Sequence, residues 1–116
     1  LNLSALSQTI GNTRPEGLLL VCAGTGDESA LEDVLGAGAL CDLMWENLGQ
    51  AASDAARLAC ERYRGNSHRL LETASQATNS KRLLAIPDLA EDVAFCFERD
   101  AYPFVGEMGA SGWITV

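Results

Sequence analysis

Glycines and carboxylates meet at one junction of this sequence, in a pattern suited to phosphate chemistry. Gly24, Thr25 and Gly26 follow an apolar run, and Glu32 and Asp33 come a few residues later. A glycine-containing loop that enters a helix presents backbone amides and the positive end of the helix dipole to an anion. Neighbouring carboxylates supply the hard oxygen ligands that Mg²⁺ prefers. The junction therefore predicts a phosphate-binding loop. The third glycine of a dinucleotide-binding motif is absent, so a plain strand-to-helix turn is the alternative.

The two adjacent carboxylates, Glu32 and Asp33, call for different explanations. Ser29 and Glu32 have the spacing of a capping box, which gives Glu32 a structural role at a helix start. Asp33 falls in line with Leu40 on an apolar stripe, where a carboxylate must be paired, bound to metal or placed at the open end. Compensation of the helix dipole is the alternative for Asp33, and also for Asp92, which follows a second capping-box pattern.

Other catalytic chemistries have little support in the sequence. His68 is the only histidine, which disfavours a Ser-His-Asp triad or a histidine-rich metal site, and its polar neighbours predict a surface position. A cysteine-dependent phosphatase needs an arginine six residues after the thiol, but Glu28 occupies that place after Cys22. The four cysteines form no close pair and lie among apolar residues, so we expect buried free thiols in a reducing, cytoplasmic compartment.

Length and charge exclude several classes of function. The chain has 116 residues and a net charge of -8, so we expect one domain over residues 1–116. Phosphate backbones and anionic lipids require basic patches, which disfavours nucleic-acid and membrane partners. The longest strongly apolar run, Leu18 to Ala23, is far shorter than the roughly 20 residues that span a bilayer.

The elements around the junction are predicted from hydrophobic periodicity. Leu18 to Ala23 is a continuous apolar run of the kind found in strands buried on both faces. A long central helix is expected from Ser29 to Leu48, with Gly49 as its end, and the glycines at 36 and 38 predict close backbone packing. Helices are also expected over 3–10, 53–64, from 67 and over 88–99, a loop at 78–80, and strands over 102–105 and 113–116.

These elements predict an α/β fold, with layered helices around a small mixed sheet. Two or three strands form too small a sheet for so many covering helices, and a buried strand must pair its backbone groups. We therefore expect partner strands outside this chain, and a tendency to form homo-oligomers.

The order of the motifs resembles a known family. The Cys-Ala-Gly-Thr stretch at 22–25, the Leu-Glu-Asp-Val-Leu-Gly-Ala-Gly-Ala-Leu stretch at 31–40 and, as weaker support, residues 1–5 and 91–96 are similar to the C-terminal half of the 2-phosphosulfolactate phosphatases. The resemblance implies a larger α/β/α fold and Mg²⁺-dependent hydrolysis of 2-phospho-3-sulfolactate, or of a related phosphorylated 2-hydroxy acid, in coenzyme M biosynthesis.

The resemblance also implies roles for single residues. It places Gly24, Thr25 and Gly26 at the phosphate, makes Glu32 and Asp33 the catalytic and metal-binding carboxylates, and gives Asp92 a weaker claim. The family's N-terminal half is absent from this sequence, so a complete site needs that half or a complementing chain. The other anionic groups of such a substrate need cations, for which Arg62, Arg64, Lys81 and Arg82 are the candidates, with solvated helix ends as the alternative. The rival function is a noncatalytic phosphate-binding or oligomerisation module derived from the family.

Overall fold

The chain is mostly helical in the computed structural model, which describes residues 1–48 and 50–116. The strands β1 (Glu107–Met108) and β2 (Ile114–Thr115) pair antiparallel, with Glu107 opposite Thr115. The small sheet is therefore antiparallel in the part of the chain that is described, and the prediction of a mixed sheet is wrong. In chain order, the elements are α1 (Leu3–Thr13), α2 (Leu31–Leu43), α3 (Trp45–Leu48), α4 (Asp54–Arg64), a 3-10 helix (Ser67–Arg69), α5 (Leu70–Ala74), α6 (Thr78–Leu84), a second 3-10 helix (Pro87–Leu89), α7 (Ala90–Cys96), β1 (Glu107–Met108) and β2 (Ile114–Thr115).

Two compact units make up the described chain. The terminal unit consists of Leu1–Leu18 and Glu98–Val116, and the central unit consists of Leu19–Phe97. In the terminal unit, the amide of Tyr102 donates a hydrogen bond of 2.9 Å to the carbonyl of Leu1. This bond, and those from the Asn2 side chain to the Phe104 carbonyl and from Ser4 to the Asp100 carboxylate, hold the start of the chain and α1 against the C-terminal segment.

The packing of α2 against α4 organises the central unit. Gly38 is buried at this contact, and a β-carbon there would overlap the backbone carbonyl of Ala59 and press on Tyr63. The predicted close packing is confirmed at Gly38 but not at Gly36, where a β-carbon would meet open space. The buried apolar residues of the described chain all belong to this unit: Ala30, Leu35, Ala39, Leu40, Cys41, Met44, Cys60, Tyr63, Ala74, Ala77 and Val93.

The predicted buried strand at Leu18 to Ala23 is wrong. The segment has no regular secondary structure, and the side chains of Leu19 and Val21 are 84% and 81% exposed. A strand buried on both faces needs hydrogen-bonded neighbours and covering layers, and residues 1–48 and 50–116 supply neither at this segment. None of the described residues pairs with this segment.

Both predicted capping boxes are wrong by one residue. Helix α2 has Ala30 at its N-cap with no side-chain cap, so Glu32 occupies the second helical position and cannot pair reciprocally with Ser29. Helix α7 likewise has Leu89 rather than Asp88 at its N-cap, because a 3-10 turn comes first. The predicted long helix also ends early, at Leu43, before the short α3. Gly49, its predicted end, lies outside the described residues.

Of the remaining predicted elements, three helical segments are confirmed, and one loop and one strand are wrong. Helix α4 is confirmed, with the Ser53 hydroxyl accepting a hydrogen bond from the Ala56 amide, as are α1 and the helical turns at 67–74. The loop predicted at 78–80 is wrong, because α6 begins at Thr78. The strand predicted at 102–105 is also wrong, since this backbone bonds to Leu1 and Asn2 and the hairpin starts later, at Glu107. No helix of the described chain is long and apolar enough to cross a membrane.

The four cysteines are free thiols in two different environments. Cys41 and Cys60 are buried at the contact between α2 and α4, as predicted. Cys22 and Cys96 are exposed, contrary to the prediction: Cys22 lies in the uncovered run before α2, and Cys96 lies exposed at the end of α7, which buries Val93 instead.

Candidate functional site

The glycine loop before α2 folds into a tight turn. The amide of Thr25 donates to the carbonyl of Glu28 at 3.0 Å, and the amide of Glu28 donates back at 3.3 Å. Gly24 and Gly26 have φ values of +72° and +62°, which side-chain-bearing residues rarely adopt. A β-carbon on Gly24 would also lie 2.5 Å from the carbonyl oxygen of Glu28. Both glycines are therefore required by the turn itself.

Asp33 ties this turn to the first turn of α2. Its Oδ2 accepts a hydrogen bond of 2.7 Å from the amide of Gly24 in a partly buried setting. Asp33 is thus paired with the backbone of the loop, which is one of the alternatives that the sequence left open for it. The amides of Gly24 and Thr25, which were predicted to bind phosphate, donate within the protein in this conformation.

A cavity of about 420 Å³ opens where the loop and the start of α2 meet the start of α6. Two of the predicted site residues, Thr25 and Glu32, line it. Gly24, Gly26 and Asp33 are not in its lining, and Asp92 is exposed on α7. The full lining is Thr25, Glu28, Ser29, Ala30, Leu31, Glu32, Gln76, Ala77, Thr78, Asn79 and Arg82.

The residues that line this cavity carry polar groups of opposite character. The start of α2 brings backbone amides and the positive end of a 13-residue helix, and Arg82 adds a guanidinium, so this part of the lining suits an anion. Oε2 of Glu32 is buried and has no hydrogen-bond partner, which suits a cation or a proton donor. The lining can therefore hold an anion and a positively charged group together.

Comparison with known protein families identifies the family of this chain. A family model described as 2-phosphosulpholactate phosphatase matches residues 1–110. The chain belongs to this family. It is 35% identical to a probable 2-phosphosulfolactate phosphatase of Thermotoga petrophila over 106 residues, which cover 90% of this chain and 44% of the relative. It is 30% identical to a protein of the same name from Synechococcus sp. over 119 residues, covering 96% of this chain and 47% of the relative.

The chain thus spans less than half the length of these phosphatase relatives. No solved structure matches it significantly. The described residues contain no group of three or more His, Cys, Asp or Glu side chains close enough together to hold a metal. Among the described carboxylates, Glu32 has a buried oxygen, Oε2, without a hydrogen-bond partner, and such an oxygen could be satisfied by a cation or a proton donor.

Asn79 lines the cavity without having been predicted from the sequence, whereas Arg82 was a candidate cation with a solvated helix end as the alternative, and it lies exposed in the last turn of α6. Asn79 falls in a stretch that reads as loop, and its place in the cavity depends on α6 folding back beside α2. Arg82 follows Asn79 by three residues, a spacing that puts both on one face of a helix. Arg64, another of the predicted cations, instead pairs with Asp42 and lies over the ring of Trp45, with 5.1 Å from its guanidinium carbon to the ring centroid.

Proposed function

We propose that this chain forms the C-terminal part of a Mg²⁺-dependent phosphatase that hydrolyses 2-phospho-3-sulfolactate or a related phosphorylated 2-hydroxy acid. The family match over residues 1–110 carries the proposal, and the names of the relatives indicate the substrate. The same proposal includes a larger α/β/α fold, a cytoplasmic location and a place in coenzyme M biosynthesis.

The phosphate is proposed to bind at the cavity between α2 and α6. The α2 N-terminus supplies amides and a positive dipole end, and Arg82 supplies a charged donor for a phosphoryl or carboxylate oxygen. Thr25 and Ser29 add hydroxyl groups to the same lining. Since the Gly24 and Thr25 amides already donate within the loop, Gly24, Thr25 and Gly26 support binding chiefly by holding the loop against the cavity.

Glu32 and Asp33 are the proposed metal-binding and catalytic carboxylates. When bound, Mg²⁺ would polarise the phosphoryl group and lower the pKa of the attacking water. Glu32 fits this role because its Oε2 is buried without a partner. Asp33 also uses Oδ2 to accept a hydrogen bond from the Gly24 amide, so in this proposal it has a second role, which is to fix the loop and the metal-binding face of α2 relative to each other. Asp92, exposed on α7, keeps a lesser claim.

A complementing polypeptide region is proposed to complete the enzyme. The relatives are more than twice as long as the matched segment, and the described part of this chain has no three-residue metal cluster. The exposed side chains of Leu19 and Val21 lie in a strand-like apolar run that lacks neighbours here. Strands of the complementing region would pair with this run and cover both of its faces.

Phosphate release by the protein isolated from its natural source tests the proposal. With 2-phosphosulfolactate as substrate, we expect release that requires Mg²⁺ and stops when a chelator is added. Glu32→Gln should reduce this release by on the order of 100-fold or more, because it removes a charge and a ligand together. Absence of Mg²⁺-dependent release from this substrate and from phosphorylated 2-hydroxy acids would contradict the proposal.

The exposed apolar run also favours one second candidate, a noncatalytic phosphate-binding or oligomerisation module. In that case, Leu19 and Val21 would be covered by a second copy of the chain. Light scattering should then give a stable homo-oligomer that Val21→Lys dissociates. Such an oligomer without phosphatase activity would favour the module over the enzyme.

A further inference from the structure

Two oxygen atoms of the described chain are buried without a hydrogen-bond partner, Oε2 of Glu32 and Oδ1 of Asn79. Glu32 lies in the first turn of α2, and Asn79 lies in the first turn of α6. Both residues line the same cavity. Removing a carboxylate or amide oxygen from water without a new partner is costly, so two residues of one cavity lining that each carry such an atom point to a ligand that satisfies both.

The chemistry of the lining selects the class of ligand. An ionised carboxylate and an amide oxygen are both acceptors, so the ligand must bring positive charge or proton donors. The charged residues of the lining are Glu28, Glu32 and Arg82, which leaves a net negative charge to be balanced. Hydroxyl groups of Thr25 and Thr78 add neutral oxygens, and the lining contains neither histidine nor cysteine. An all-oxygen set of this kind suits Mg²⁺ or Mn²⁺ rather than Zn²⁺.

We propose that Asn79 is a ligand of a divalent cation that Glu32 also binds. The inference rests on the proposed function in one respect, since the cation would be the Mg²⁺ of the phosphatase. It adds a residue from α6 to a site that the sequence placed on α2 alone. One or two carboxylates with neutral oxygens and waters are a sufficient set for Mg²⁺, so two protein ligands from this chain can start the site before the complementing region closes it.

Arg82 gives the proposed cation site its link to the substrate. It is three residues from Asn79 and lines the same cavity. A phosphoryl or carboxylate group bound to the cation would place its remaining negative oxygens where a guanidinium can donate to them. We therefore expect inorganic phosphate to bind more tightly when the cation is present, and this gain to depend on Arg82.

A titration of the 116-residue chain with Mn²⁺ tests the site without any assay of activity. The loss of the electron paramagnetic resonance signal of the free ion measures how much Mn²⁺ is bound. The unmodified chain is expected to bind one ion, and Glu32→Gln and Asn79→Leu are each expected to weaken binding tenfold or more. Asn79→Asp should keep or strengthen binding, because it retains the oxygen and adds charge. Asn12→Leu, at an exposed position of α1, is the matched control and should bind as the unmodified chain does.

Circular dichroism of each variant separates loss of binding from loss of fold, and Asn79→Asp provides a second readout if Asn79→Leu does not fold. Equal Mn²⁺ affinity in Asn79→Leu, Asn12→Leu and the unmodified chain would overturn the inference, and so would no binding at all. Phosphate release is measured separately on the natural protein. If metal binding depends on Asn79 but the natural protein has no phosphatase activity, the site is supported and the proposed function is rejected. If the natural protein shows Mg²⁺-dependent hydrolysis that Asn79→Leu does not change, the proposed function is supported and the role of Asn79 is rejected.

Discussion

Asp33 accepts a hydrogen bond of 2.7 Å from the amide of Gly24, nine residues earlier in the chain. This bond closes the loop between the apolar run and α2, and it gives a polar partner to a carboxylate that lies on a largely apolar helix. The carboxylate therefore has a structural role that exists without any ligand. The same residue is a proposed metal-binding group, so substitutions must separate the two roles.

Substitution of Asp33 is expected to affect stability and activity differently according to the new side chain. Asp33→Ala removes the acceptor from the Gly24 amide and should lower the free energy of unfolding by about 1–2 kcal/mol. Asp33→Asn keeps an oxygen acceptor and should lose less than half of that amount, but it removes the charge that the proposed metal site needs. Urea titration measures the first effect, and phosphate release by the natural protein measures the second. Unchanged stability in Asp33→Ala would show that the hydrogen bond does not hold the loop.

The two glycines of α2 should respond in opposite directions to the same substitution. Gly38→Ala places a methyl group against the carbonyl of Ala59 and the side chain of Tyr63, so α2 and α4 must move apart. We expect a loss of about 1–3 kcal/mol in the free energy of unfolding, as for other overpacked cores. Gly36→Ala meets open space and should raise the free energy of unfolding by up to about 1 kcal/mol, because alanine favours the helix.

Thermal or urea unfolding of both variants measures this contrast, and Gly36→Ala serves as the matched control for Gly38→Ala. If Gly38→Ala were as stable as the unmodified chain, the close contact between α2 and α4 would not exist in solution.

The difference between Gly36 and Gly38 also illustrates what the sequence could predict. The run of small residues indicated a close helix contact, but only the position of α4 decides which glycine faces it. Local signals were sufficient for α4, whose N-cap Ser53 and amphipathic pattern act within one helix. The capping patterns at Ser29 and Asp88 failed because each helix starts one residue after the register that reciprocal capping needs.

In the candidate site, too, only the residues that lie beside a local sequence feature could be predicted. Thr25 and Glu32, two of the predicted site residues, line the cavity, and the signal that selected them was a glycine turn, a local feature of the sequence. Asn79 could not be found in this way, since its relation to Glu32 depends on α6 folding beside α2, far along the chain. The strand predicted from Leu18 to Ala23 failed for the related reason that a strand is defined by its neighbours, and none of the described residues pairs with it.

Acid is expected to weaken the terminal unit through Asp100. The Ser4 hydroxyl and the Ser4 amide each donate to this carboxylate at 2.6 Å, and these bonds lower the pKa of Asp100. The pKa of Asp100 is lower in the folded chain than in the unfolded one. The carboxylate therefore stabilises the fold fully at a pH above the ordinary aspartate pKa of about 3.9, and this stabilisation is lost as the pH falls through the lowered pKa of the folded state. An NMR titration of the Ser4 amide should therefore have its midpoint below about pH 3.9.

Two variants control the Asp100 titration. Ser4→Ala removes the hydroxyl, the larger cause of the lowered pKa, and should move the Asp100 midpoint upwards. Asp100→Asn should abolish this step in the Ser4 amide titration. A midpoint at or above the ordinary aspartate value in the unmodified chain would contradict the hydrogen-bonded arrangement.

The four cysteines should divide into two classes by their reactivity with a thiol reagent. Burial raises the pKa of Cys41 and of Cys60, so both stay protonated at neutral pH and are also shielded from the reagent. Cys22 and Cys96 are exposed. Because the thiolate is the reactive form, we expect two thiols to react promptly with dithionitrobenzoate and two to react about tenfold or more slowly, at a rate set by opening of the contact between α2 and α4.

Replacing both exposed cysteines by serine should remove the fast phase and leave the slow one, while denaturant should make every remaining thiol react promptly. Fast reaction of all four thiols under native conditions would mean that α2 and α4 do not form a stable core, and the cavity at the start of α2 would then lose its support as well.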